Sequence, residues 1–144
     1  MRWVADDGGR ADAGFKGDAG DCVTRSIAIA TGLPYNSVYV DLADLSAAKG
    51  RARSARNGMK RDVYEPYLRD LGWTWVPTMH VGQGCQVHMR DDELPLGKLI
   101  VRLSKHITVV LDHVIHDTHD PSREGTRCVY GYFSQGQSND GDRR

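Results

Sequence analysis

Cys22, His106 and Asp117 are the residue types that thiol-dependent acyl transfer requires. Cysteine attacks a carbonyl as the thiolate, and a free thiol near neutral pH is mostly protonated. Unpaired N–H groups and the dipole at a helix N-terminus favour the anion, and a neighbouring imidazolium favours it further. The run Gly20-Asp21-Cys22-Val23-Thr24-Arg25 predicts that placement, with Asp21 as N-cap and Cys22 in the first helical turn. The charge of Asp21 works against a thiolate unless its carboxylate is turned onto the helix N–H groups.

His106 opens the run His106-Ile107-Thr108-Val109-Val110-Leu111, which is β-branched and predicts a strand. Asp112-His113 then reads as a two-residue hairpin turn. With that turn Leu111 faces Val114, Thr108 faces Asp117 and His106 faces His119. Opposed residues share a face, so His106 and Asp117 are diagonal neighbours, roughly 7–8 Å apart between backbones. An imidazole–carboxylate hydrogen bond spans such a gap. Asp117 would orient the ring, while His106 takes the Cys22 proton and later protonates the leaving group. A one-residue slip of the turn would send Asp117 to the other face.

The elements that must position these groups are well punctuated. A first helix is predicted over Cys22–Thr31, ended by Gly32 in a left-handed cap and by Pro34. Its apolar residues spread over much of its surface, so it is central and largely buried. Helices over Ser37–Ala48 and Asp62–Leu71 follow, the latter with a Tyr64, Tyr67, Leu68, Leu71 stripe and Pro66 near its first turn. Strands are predicted over Trp73–Thr78, an edge strand because of Pro77, and over Gln86–Met89, Lys98–Leu103, His106–Leu111, Val114–Asp117 and Arg127–Phe133. Helices first and a mostly antiparallel sheet second make an α+β domain over 1–133. Residues 1–20 read as an extended arm or loop, and 134–144 as a disordered polar tail.

Composition narrows the function classes. Basic and acidic residues balance at 19 each, so no global field argues for nucleic acid or membrane. No apolar run approaches the ~18 residues of a spanning helix, and the N-terminus lacks a secretion signal, so a cytoplasmic location is expected. Cys85 and Cys128, with Cys22, are an odd count at wide spacing, a poor disulfide framework. They read as structural cysteines. The basic run 49–61 reads as a solvated loop, although it offers phosphate contacts. Trp3, Trp73 and Trp75 fit core packing or a groove wall. Arg25 and Arg102 fit either buried carboxylate partners or surface residues. His106, Asp117 and His119 share a face and offer a three-ligand zinc set, but one that leaves Cys22 without a role, so no metal is assigned.

Asp21-Cys22 at a buried helix, then His106-Ile-Thr-Val-Val and Asp117 on consecutive strands, resembles the papain-like cysteine peptidase superfamily. The likeness is to compact bacterial branches such as the peptidase domains of bacteriocin transporters. The phrases Gly-Asp-Cys-Val-x-Arg-x-Ile-Ala-Ile-Ala-Thr-Gly, Glu93-Leu94-Pro95 and Arg127-Cys128-Val129-Tyr130-Gly131-Tyr132 are similar to small phage and prophage proteins of obscure function. The resemblance spans about residues 17–133. It implies a papain-like fold and cofactor-free hydrolysis or transfer at an amide, peptide or isopeptide bond of a protein or peptide. Cys22 would be the nucleophile, His106 the base and Asp117 the orienter. Papain-like peptidases carry a glutamine upstream of the nucleophile to stabilise the oxyanion. Here Lys16 precedes Cys22 with no glutamine, so Lys16 with the Cys22 N–H is the expected substitute. The alternative is a catalytically weak or inactive papain-like protein that grips a host protein or peptide.

Overall fold

The computed structural model describes residues 1–16 and 20–135. The elements run β1 (Arg2–Ala5), α1 (Cys22–Thr31), α2 (Tyr35–Ala48), α3 (Arg61–Asp70), β2 (Trp73–Pro77), β3 (Lys98–Leu103), β4 (His106–Leu111), β5 (Val114–Asp117) and β6 (Gly131–Gln135). The class is α+β. One mixed sheet has the strand order β1-β5-β4-β3-β6-β2. The β1–β5 pair is parallel and the other pairings are antiparallel.

Local chemistry explains most boundaries. Gly32 ends α1 at φ 75°, with its N–H on the Ala28 carbonyl. Pro34 flanks α2, which starts two residues before the predicted Ser37. In α3, Pro66 falls in the second turn and not the first, giving up one ladder bond. Pro77 ends β2, an edge strand, where its missing N–H is tolerated. Asp112 and His113 both have positive φ, 48° and 67°, as a two-residue turn matched to strand twist requires.

The central strands are buried on both faces. Ile100, Val109 and Phe133 pack with Ile27, Val38 and Leu68 on the helix side. Alternate residues Leu99, Val101, Val110 and Ile115 pack with Met89 and Leu94 on the other. This is why β3 and β4 read as continuous apolar runs and not as alternating ones.

Several sequence expectations need correction. The arm 1–20 is not merely extended: Arg2–Ala5 joins the sheet edge beside β5, where unpaired backbone groups were available. Gln86–Met89 forms no strand beyond an isolated His88–Cys128 bridge. The last strand is shifted to Gly131–Gln135. Pairing with β3 on one side and β2 on the other recruits polar Ser134 and Gln135, which had been read as tail. Residues 136–144, the rest of the predicted tail, lie outside the described residues. Cys85 and Cys128 form a disulfide across 43 residues, with 5.9 Å between their Cα atoms. That pairing comes from the long 78–97 segment folding back over the second cluster, which spacing does not reveal. In a reducing cytoplasm the same two residues would stand as adjacent thiols. The basic run is largely matched by acids of flanking helices: Arg51 to Asp62 at 2.7 Å, Arg53 to Asp44, and Arg61 to Glu65 at 2.8 Å.

Gly131 is where the sheet tolerates no side chain. A Cβ there would fall inside the Trp75 indole and 2.8 Å from the Val76 carbonyl oxygen. Gly131→Ala is expected to cost about 1–3 kcal/mol through overpacking. A lower midpoint in urea unfolding reads this out.

Candidate active site

The site forms where β4 and β5 part. Their pairing runs from Leu111–Val114 to Val109–His116. Beyond it the Asp117 side chain crosses the gap. Its Oδ2 accepts from the Thr108 hydroxyl at 2.6 Å and lies 2.7 Å from His106 Nε2. The Thr108–Asp117 apposition and the His106–Asp117 diagonal are those the predicted turn gives. The ring of His119 lies 5.0 Å from that of His106.

Helix α1 docks against the same gap. The Ser26 hydroxyl donates to the Ile107 carbonyl at 3.2 Å, and the Ile107 N–H is one of the groups that lower the Cys22 pKa. Cys22 and Ser26 are four residues apart and so share a helix face. Ile107 thus meets the face of α1 that carries Cys22. His106 Nε2 is engaged by Asp117, which leaves Nδ1 as the ring nitrogen open to Cys22.

The electrostatics follow from these contacts. Burial pulls the His106 pKa down, but hydrogen bonds and charge from Asp117 and Cys22 push it up to about 9. Burial raises Asp117, but His106, Thr108 and the Thr118 N–H hold it down to about 2. Burial raises the Cys22 thiol too. The His106 hydrogen bond and charge, the Ile107 N–H and the Arg25 charge bring it below the ordinary thiol value.

Asp21 does not cap α1 through its side chain. Its buried carboxylate pairs with Arg25 one turn on, accepts the Tyr35 hydroxyl at 2.6 Å and lies 3.4 Å from Arg10. Its charge is therefore answered by guanidinium groups and not by helix N–H groups. Arg25, undecided from sequence, is buried and also donates to Asp117 Oδ1 at 3.2 Å. It ties the helix that carries Cys22 to Asp117. The N-terminal segment supports the same residues: the Asp6 N–H and the Trp3 indole N–H both donate to the Asp117 carbonyl, at 2.9 and 3.0 Å. Gly8, at φ 70°, lets this segment lie on α1, where a Cβ would approach the Arg25 carbonyl oxygen to 3.0 Å.

A cleft of about 1080 Å³ opens over Cys22 and His106, walled by Phe15, Met59, Tyr64, Arg102, Lys105 and His119. Lys16 does not line it. Its side chain is exposed and its carbonyl accepts from Arg10 at 3.0 Å, so the expected oxyanion contact from Lys16 is not made. The His106, Asp117 and His119 ligand atoms lie within 4.8 Å of one another. A cation there would take His106 from its carboxylate and face the Arg25 guanidinium across Asp117, so the donor set suits proton transfer better than metal binding. Sequence reasoning missed Arg10, Ser26, Tyr35 and Tyr64. Only the four-residue spacings Asp21–Arg25 and Cys22–Ser26 signalled any of this.

Arg25→Met should destabilise by about 3–5 kcal/mol, because it leaves two buried carboxylates short of a cation. It should also raise the pH at which Cys22 becomes alkylatable. Urea unfolding and a pH series of alkylation rates measure the two effects. A second expectation concerns pH. The depressed Asp117 pKa stabilises the fold above its ordinary 3.8, an advantage lost as pH falls toward about 2. The raised His106 pKa stabilises fully below its ordinary 6.5, an advantage lost as pH rises through about 9. Wild type should therefore exceed Asp117→Asn by on the order of 2 kcal/mol between those ordinary values, with the gap narrowing on both sides. Denaturant unfolding of both proteins across pH tests this.

Compared with protein-family models, curated proteins and solved structures, the chain matches none.

Proposed function

We propose that this chain is a papain-like cysteine hydrolase, or acyltransferase, acting at an amide, peptide or isopeptide bond. The observation that carries this is that Cys22, at a helix start and on a cleft, sits beside His106, whose Nε2 lies 2.7 Å from Asp117. The shifted acidities of all three groups favour a thiolate beside an imidazolium.

The chemistry follows from those roles. The Cys22 thiolate adds to the substrate carbonyl, and the resulting oxyanion meets the Cys22 backbone N–H. His106 gives its Nδ1 proton to the leaving amine as the C–N bond breaks, leaving a thioester. Neutral His106 then takes a proton from water as its oxygen attacks the thioester. The acid is released and the thiolate returns. An amine in place of water makes the same step a transfer. Asp117 keeps the ring oriented throughout, with Thr108 and Arg25 holding Asp117.

No glutamine precedes Cys22 and Lys16 lies away from the cleft, which favours the second reading: a papain-like protein, phage-derived by its resemblance, that grips a host protein. Iodoacetamide labelling of Cys22 against pH separates the two. The hydrolase reading expects rapid labelling well below the ordinary thiol range, abolished in His106→Ala, with mass mapping to Cys22. Slow labelling with an ordinary thiol profile, unchanged by the substitution, would instead favour the binding protein. Any hydrolytic activity should fade as pH rises through about 9, where His106 loses the proton it gives the leaving group.

A further inference from the structure

Two polar groups on the cleft wall have no part in the chemistry above. Tyr64, on α3, is only 4% exposed, and its ring meets Phe133 edge-on with centroids 6.3 Å apart. Among the described residues its hydroxyl makes no hydrogen bond, although it lines the cleft. A buried hydroxyl without a partner is costly and calls for an explanation. Burial holds it in the neutral, donating form.

Arg102, near the end of β3, is half-buried and lies 5.4 Å over the Tyr130 ring. Among the described residues it forms no ion pair. Its charge is felt by the Tyr64 hydroxyl, as is that of Cys22. Arg102 lines both the Cys22 cleft and a smaller adjoining cavity of about 300 Å³ bounded by Trp75 and Tyr130. At the cleft rim Lys60 and Lys105 are likewise without a carboxylate among the described residues. The other cations lining the cleft differ. Arg25 is matched by Asp21 and Asp117, Arg10 by Asp21, and Arg61 by Glu65. Of the two acids on the cleft among the described residues, Asp21 is consumed by that pairing and Asp7 accepts from the Gly9 and Ala11 N–H groups.

A fixed guanidinium beside a neutral phenol presents N–H and O–H donors with no acceptor between them. The group that satisfies both is a carboxylate. We propose that the ligand of the Cys22 cleft carries a carboxylate near the bond it presents, bound by Arg102 and Tyr64 under the field of Lys60 and Lys105. That the ligand presents a bond to Cys22 rests on the hydrolase reading, whereas the carboxylate site does not. The carboxylate comes either from an acidic side chain or from a chain terminus, and both offer the same chemistry.

The test uses the full chain with Cys22→Ala, so nothing is turned over. Four fluorescent pentapeptides serve as probes in anisotropy titrations: glutamate as the C-terminal amide, glutamine as the amide, and alanine with a free or an amidated C-terminus. At least one carboxylate probe should bind about tenfold or more tightly than its neutral partner. Preference within the glutamate pair assigns a side-chain carboxylate, and within the alanine pair a terminal one. Adding Arg102→Gln or Tyr64→Phe should erase most of that preference, and Arg102→Lys should keep part of it. Tyr64→Phe is nearly isosteric and the Arg102 variants keep a polar unbranched side chain, and thermal melts confirm their folding. Equal binding of charged and neutral probes, a preference that survives Arg102→Gln, or no binding by any probe overturns the proposal. The nucleophile is absent throughout. Failure here thus leaves the alkylation result standing, and failure of the alkylation test leaves this site standing.

Discussion

The structure depends on a buried chain of alternating charge that runs from Arg10 through Asp21, Arg25 and Asp117 to His106. Its members come from the N-terminal segment, the residue before α1, α1 itself and the β4–β5 hairpin. Removing such charges from water is expensive, and their attraction repays this only where every remaining donor and acceptor is satisfied. Tyr35, Thr108, the Thr118 N–H and the Lys16 carbonyl do that here. The chain therefore acts less as a source of net stability than as a device that permits one mutual placement of helix and hairpin.

That placement serves Cys22. A helix N-terminus lowers a thiol pKa only modestly, and here burial opposes even that. The balance tips because β4 and β5 part at the level where α1 docks. The freed Ile107 backbone meets Cys22 and Ser26, and His106 is left at the strand end with its second ring nitrogen toward the sulfur. A ladder that continued through Thr108–Asp117 would tie up the backbone that α1 docks on. The break in regular structure and the candidate chemistry coincide.

The cleft wall is organised on a different principle. The charges beneath Cys22 are matched within the protein, whereas Arg102 and the Tyr64 hydroxyl face the opening with no acceptor among the described residues. Aromatic packing on Phe133 and Tyr130 holds both in place without satisfying their polar atoms. Rigid donors of this kind lose little entropy when an acceptor arrives, which is a condition for useful binding.

The amino-acid sequence alone determined the features that a few neighbouring residues encode. The start of α1 at Cys22, its stop at Gly32 and the Asp112-His113 turn are of this kind. Because a two-residue turn sets strand register, the turn alone is enough to make His106 and Asp117 diagonal neighbours. Tertiary structure decided what depends on distant segments: β1 beside β5, the Cys85–Cys128 disulfide, the fate of Asp21 and the absence of Lys16 from the cleft. Asp21 has the side chain of a helix cap, but Arg10, Arg25 and Tyr35 compete for it more strongly. Arg25 reaches Asp117 across 92 residues of chain. Local propensity and periodicity carry no information at that range. Only the packing of the whole chain brings those charges into one low-dielectric volume, where their pairing becomes strong enough to override local preference.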